Sequence, residues 1–297
     1  MTDYPYPDPD IDPAAAIDVA SDVVVISNRN VPLVPNVGIV GGTEAVLVVD
    51  TGLGPGNADK VLKFALDHAR GRKLYLTTTH FHPEHAFGAS SFAGQATWIV
   101  NAGQARDLAM KGPGYLRQFR TLGEPVAKAL DGAALATPDV VYDGDYDLDL
   151  GGRVVSLRPT GRAHTRSDQV VTVPDSGVLF TGDLAEPGQF AIFPWFPPYD
   201  VDVSGLGWIE VMRSLRAGDP SVVVPGHNAI GDAAILDEVR TYLEWLRDAT
   251  WRRRDSGLRQ ETLTEEIIAE AIARHPQWEG REWIAPAVAC LCQEHAH

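Results

Sequence analysis

Six residues, His80-Phe81-His82-Pro83-Glu84-His85, limit what this chain can fold into more than any other stretch. They follow Leu74-Tyr75-Leu76-Thr77-Thr78, which has the pattern of a buried strand. His80 and His82, leaving that strand in extended geometry, point to the same side. Pro83 suits the first turn of a helix, so Glu84 and His85 begin one. A strand end running into a helix start therefore converges three imidazoles and a carboxylate on a small volume. At nine histidines in 297 residues, His-x-His-x-x-His arises by chance about 0.008 times per chain. The bland alternative is a loop whose histidines are satisfied by hydrogen bonds. Four potential ligands within six residues favour a metal site instead. Imidazole and carboxylate suit zinc and also serve iron or manganese.

The rest of the chain supplies a frame for such a site. Strand patterns occur at Asp22-Val23-Val24-Val25-Ile26-Ser27, 36–40, 45–50 and 73–79, with a hairpin turn at Gly41-Gly42-Thr43-Glu44. Further strands are expected at 95–100, 137–142, 153–158, 169–174, 177–182 and 221–225. Helices are expected over 56–70, 102–110, 113–121, 205–217, 232–253, 262–274 and 281–294. Strands come as hairpins interrupted by helices, which suggests two sheets with helices outside and not a doubly wound parallel sheet. Three segments follow: a flexible or extended Pro/Asp-rich arm over 1–17, a main domain over 18–231, and a helical extension over 232–297 packed on it.

Composition excludes some classes. With 44% hydrophobic residues, a chain of this length can bury a sizeable core. No apolar run is long enough to span a bilayer, so no membrane partner is expected. The acidic, proline-rich start lacks the basic and apolar regions of a secretory signal, and a cytoplasmic enzyme is the expectation. A formal charge of −15 repels phosphate backbones, so no nucleic-acid partner is expected. Cys290 and Cys292 are poorly spaced for a disulfide on a helix and read as buried or inert thiols. His68 reads as structural or exposed, and His295-Ala296-His297 as a solvated tail. The long helices after 232 could form a homodimer face.

The segment from His80 to His85 resembles the signature of the metallo-β-lactamase superfamily, in which His-x-His-x-Asp-His supplies most of two metal sites. Other segments resemble that family in the same order: Val48-Val49-Asp50-Thr51-Gly52, Ala163-His164-Thr165-Arg166-Ser167-Asp168, Leu179-Phe180-Thr181-Gly182-Asp183 and Val223-Val224-Pro225-Gly226-His227. The resemblance spans about residues 20–230. It implies an α/β fold, a four-layer αββα sandwich, here with extra C-terminal helices, and loops of the site along one edge of the paired sheets. It also implies that His80, His82 and His164 hold one metal. Glu84, His85 and His227 would hold a second, with Asp183 between the two and Asp50 orienting the metal loop from behind. Two zinc ions are expected, with iron or manganese as alternatives.

Glu84 stands where the family has Asp. Its extra methylene moves the carboxylate outward by about 1.5 Å, whereas metal–oxygen distances tolerate only a few tenths of an ångström. An adjusted loop, a weakened second site, or a Glu84 freed to act as acid or base are the three outcomes open at this point.

Two metals sharing a hydroxide suggest attack on a carbonyl of a small-molecule substrate, with Asp183 or Glu84 holding or passing the proton. Phe193, Trp195, Phe196 and Tyr199 could form an apolar wall for an acyl or aromatic group. They could equally pack against the C-terminal helices. Hydrolysis of an ester, lactone or thioester is the expectation. β-Lactam hydrolysis, an iron-dependent oxidoreductase of the same fold, and a non-catalytic binding protein with a disabled second site are the alternatives. The acidity speaks against a nuclease, and the start of the chain together with a bridging Asp183 against a periplasmic resistance enzyme.

Overall fold

The computed structural model describes residues 5–295, and in it two β-sheets lie face to face between two layers of helix. The first sheet takes its strands in chain order: β1 (Ala16–Ala20), β2 (Val23–Ile26), β3 (Val37–Gly41), β4 (Ala45–Val49), β5 (Lys73–Thr77), β6 (Thr97–Asn101) and β7 (Val140–Tyr142). Its first four strands are antiparallel neighbours, and β4 through β7 run parallel. Parallel neighbours need crossovers. These carry α1 (Gly54–Ala69), α2 (Pro83–Ala86), α3 (Ala102–Met110), α4 (Gly112–Phe119) and α5 (Glu124–Ala129).

The second sheet holds β8 (Tyr146–Asp149), β9 (Val154–Gly161), β10 (Asp168–Val173), β11 (Val178–Gly182) and β12 (Val222–Pro225), in that spatial order. Helix α6 (Gly205–Ala217) crosses between β11 and β12, which are parallel. Helices α7 (Ala234–Asp255), α8 (Gln260–Arg274) and α9 (Ile284–Glu294) follow.

Side-chain alternation assigns the layers. Val23, Val25, Leu47 and Val49 face the second sheet and meet Val155, Leu157, Val171, Val173 and Phe180. Their neighbours Val24, Val46 and Val48 face the opposite way, onto Val61 and Ala65 of α1 and Val126 of α5. On the far side, Val170, Leu179 and Val223 pack under Trp208 and Met212 of α6, Leu243 of α7 and Ile284 of α9. Both faces of β2, β3 and β4 are thus covered, which is why they read as unbroken apolar runs.

The structure departs from the sequence expectations in four places. Residues 1–4 of the N-terminal arm, and Ala296 and His297 of the expected tail, lie outside the described residues. From Pro9 onward the arm is docked: Ile11 is fully buried, and Asn57 on α1 donates to Pro9 O (2.8 Å) and accepts from Ile11 N (2.7 Å). Strands β1 and β8 and helix α5 were not expected. β1 is an edge strand with no fully buried residue, and β8 and α5 are too short to build a periodic signal. The strand expected from 137 begins only at Val140, because Pro138 has no N–H for a ladder. The helix expected from 281 opens with a 3₁₀ turn, Arg281–Trp283. His68 bonds Asp22 (2.9 Å), and both cysteines are free and buried.

Space between the sheets is tight where β11 approaches the site. A Cβ on Gly38 would fall 2.4 Å from the Phe180 ring, which is itself buried. Gly38→Ala should therefore destabilise the fold by about 1–3 kcal/mol, the usual range for overpacking a filled core. Urea denaturation checks this. An unchanged midpoint would mean that the ring can move aside.

Candidate metal centre

Every segment singled out by its chemistry emerges at the same edge of the two sheets. β4 ends at Asp50, β5 leads to His80 and His82, and α2 carries Glu84 and His85. The β9–β10 turn presents His164, β11 delivers Asp183, and β12 delivers His227. Pro83 at the first position of α2 turns the chain, so that Glu84 and His85 fold back beside His80. Gly226 permits the closest approach: a Cβ there would fall 2.1 Å from Asp183 Oδ1.

Two clusters of ligand atoms result. One combines His80, His82, His164 and Asp183, and the other Glu84, His85, Asp183 and His227. Within each, the ligand atoms lie within 4.8 Å of one another, and every residue is buried. Asp183 joins the two. Its Oδ2 is 3.7 Å from both His80 Nε2 and His164 Nε2, while Oδ1 is 3.1 Å from His85 Nε2 and 3.7 Å from His227 Nε2. Glu84 is drawn into the second cluster despite its extra methylene.

The site's hydrogen bonds leave ring lone pairs facing inward. His164 Nδ1 donates to Ile192 O (2.9 Å) and His227 Nδ1 to Val34 O (2.8 Å), so their Nε2 atoms carry no proton when neutral. His85 Nδ1 is held by Asp50 Oδ2 (2.9 Å) and His80 Nδ1 by Thr79 Oγ1 (3.2 Å). In the first cluster His82 Nδ1 lies 3.0 Å from His80 Nε2 and 3.1 Å from His164 Nε2. A proton on His82 Nδ1 can serve those two lone pairs only by sharing, whereas a cation serves all three nitrogens. In addition, Glu84 Oε2, His85 Nε2 and Asp183 Oδ1 are buried with no hydrogen-bond partner. Buried atoms of this kind cost about 1–3 kcal/mol each when unsatisfied. Clustered nitrogen and carboxylate donors lacking partners are what a divalent cation requires, so the residues fit the metal that the chemistry implies.

Electrostatics follow from the same packing. Burial, reinforced by neighbouring histidines, holds His80 and His82 well below the usual imidazole range. Burial works against protonation of His85 too, but the carboxylates of Asp183 and Asp50 overcome it and raise His85 well above that range. For Asp183 burial pulls upward, yet His85, His227 and His80 together keep it well below the ordinary carboxylate value. Glu84 is pushed up to about 7, chiefly by burial.

The second layer is dense. Asp50 accepts from Thr79 N (2.7 Å), Thr79 Oγ1 (3.0 Å) and His85 Nδ1. Gln169 on β10 donates to Thr78 O (2.8 Å) and Thr77 Oγ1 (2.7 Å), tying the second sheet to the metal loop. Asp168 accepts from Thr165 N (2.7 Å) and shapes the His164 turn.

The four aromatic residues expected as a substrate wall divide. Phe193 is fully buried against Trp208, whose other side meets His164, and Trp195 is buried in the same core with the C-terminal helices. These two pack in the core with the C-terminal helices, which is the packing alternative. Phe196 is half-buried near Trp283, and Tyr199 stands 89% exposed.

Sequence reasoning missed Gln169, Tyr115 and Glu186. Gln169 and Tyr115 sit within ordinary strand and helix patterns that carry no metal signal. Glu186, three residues beyond Asp183, is buried with Oε1 unpartnered. Its carboxyl is raised by burial and by the Asp183 charge.

Asp50 orients His85 and the loop without joining either cluster. Asp50→Ala should weaken binding of divalent cations by about 10–100-fold, the range for removing a partner behind a ligand. Competition with a chromophoric chelator measures it, and unaltered affinity would exclude the orienting role.

Comparison with known proteins agrees with this geometry. The family model described as the metallo-beta-lactamase superfamily matches residues 30–227. The acyl-coenzyme A thioesterase MBLAC2 of Bos taurus is 26% identical over 237 residues, covering 70% of this chain and 78% of the relative. A metallo-beta-lactamase from Pontibacter korlensis superposes with a TM-score of 0.62 at 20% identity, over 77% of this chain and 98% of that one. The stereoselective inverting sec-alkylsulfatase Pisa1 from Pseudomonas sp. gives a TM-score of 0.67 at 17% identity, over 94% of this chain and 50% of that one. With its αββα layers, its ordered motifs and a family match over most of its length, this chain belongs to the metallo-β-lactamase superfamily.

Proposed function

We propose that this protein is a metal-dependent hydrolase of thioesters, with acyl-coenzyme A compounds as the substrate class and two zinc ions as its cofactors. The observation that carries the hydrolase reading is the pair of buried ligand clusters sharing Asp183. The thioester preference is supported by the relative named an acyl-coenzyme A thioesterase.

His80, His82 and His164 would hold one cation, and Glu84, His85 and His227 the other, with Asp183 common to both. Bound there, such ions lower the pKa of a water and polarise a carbonyl oxygen. The protein's own share is positioning and proton handling. Asp50, Thr79, Ile192 O and Val34 O fix the imidazoles in one tautomer. Glu84 and Asp183 present the carboxylates that can hold a proton close to the reacting carbonyl. Phe196 and Tyr199 lie on the loop that follows Ile192, and there they are available to an acyl chain.

Elemental analysis of untagged protein, followed by an acyl-coenzyme A, ester, lactone and β-lactam panel, tests this reading. Two zinc per chain and thioester cleavage that disappears on chelation and returns with zinc is the expected result. Protein carrying both metals that cleaves no thioester would refute the substrate class. Iron together with oxygen consumption would favour an oxidoreductase of the same fold. Glu84→Gln removes the charge but keeps the length. It should lower the metal content from two per chain towards one while the first cluster still loads. Full retention of two metals would show that Glu84 is no ligand.

A further inference from the structure

Four of the five histidines in the centre have a ring nitrogen anchored outside the clusters: His80 on Thr79, His85 on Asp50, His164 on Ile192 O and His227 on Val34 O. His82 has no such anchor. Its Nδ1 faces into the first cluster, and its Nε2 is buried with no partner. An imidazole without an outer hydrogen bond can rotate about its side-chain torsions unless contact prevents it.

Contact is supplied from α4. The Tyr115 ring stacks on His82 with centroids 5.2 Å apart and planes at 25°, and Phe81 closes the neighbouring side edge-on at 4.8 Å. Tyr115 is itself held. Its hydroxyl donates to Asp200 Oδ2 (2.8 Å), and Lys111 Nζ donates to Asp200 Oδ1 (3.0 Å). Lys111 also pairs with Asp202 (2.8 Å) and lies over the Phe81 ring at 5.3 Å. Tyr115 and Asp200 are buried, so this chain of contacts is shielded from competing water. Solubility does not call for a buried acid bonded to a tyrosine and a lysine, and neither does packing.

We propose that Tyr115 is the positioning residue of His82, with Asp200 and Lys111 fixing the tilt of its ring. Stacking does for this imidazole what hydrogen bonds do for the other four. The inference rests on the two-cluster reading of the centre. It assigns a role to a residue that binds no cation and lies outside both ligand sets. Because Asp200 closes the loop that carries Phe196 and Tyr199, through Phe196 N to Asp200 O (2.7 Å), the same contacts join that loop to the first cluster.

Zinc affinity by chelator competition, and the visible absorption of the cobalt-substituted protein, test the assignment on the full chain. Tyr115→Leu should lower the affinity of the first cluster by about 10–100-fold, leave the second unchanged, and alter the cobalt bands. Tyr115→Phe keeps the ring and loses its anchor, so it should fall between Leu and wild type in affinity, with near-normal bands. Urea midpoints of both variants separate loss of folding from loss of positioning. Wild-type affinity and spectrum in Tyr115→Leu would overturn the proposal, and so would a Phe variant as impaired as Leu. If the wild-type chain bound no cation, the two-cluster reading itself would fall, and the proposal with it.

Discussion

The carboxylate of Asp50 is the constraint on which the edge of the molecule depends. It sits at the end of β4, 1% exposed, with φ at +70°, a backbone geometry uncommon for any residue but glycine. From there it takes three hydrogen bonds from the metal loop: the backbone and hydroxyl of Thr79 and the imidazole of His85. A buried carboxylate must be satisfied, and these donors satisfy it. In doing so they fix the path from β5 into α2. His80, His82, Glu84 and His85 inherit their directions from that path. Neighbouring Thr51 reinforces it, since both its N–H and its hydroxyl bond His85 O.

Around this anchor the protein concentrates polar groups that oppose folding. Five histidines and the acids Glu84, Asp168, Asp183 and Glu186 are buried where the sheets end, and several of their atoms lack partners. In the first cluster His82 Nδ1 stands about 3 Å from two other ring nitrogens, an arrangement that neutral imidazoles do not satisfy among themselves. Stability elsewhere has to carry this cost. The three apolar layers, with the aromatic core under α6 to α9, are its source. Phe193 and Trp208 belong to both accounts. They fill that core, and they also back His164.

Much of the site was legible in the chain because its ligands are local to strand ends. A run of β-branched residues followed by His80, His82 and His85 has few physical realisations. The later His164, Asp183 and His227 also follow strand patterns. The layers were legible too, because strands that come as hairpins interrupted by helices suggest two sheets with helices outside. Other parts were not. Tyr115 sits in an ordinary amphipathic helix, and its importance comes from stacking on a residue 33 positions earlier. Asp200 lies 85 residues from the tyrosine it holds. The aromatic run from Phe193 to Tyr199 looked uniform, yet its members end up anywhere from fully buried to 89% exposed.

The sequence by itself determined the types of the candidate ligands, their order, and the strand and helix ends that carry them, because strand and helix periodicity are local properties of the backbone. Tertiary structure decided which candidate ligands share a cluster, where Glu84 sits among them, and what packs against His82. Those outcomes depend on distances between segments far apart in the chain, and such distances are set only when two sheets pack and bring their ends to one edge.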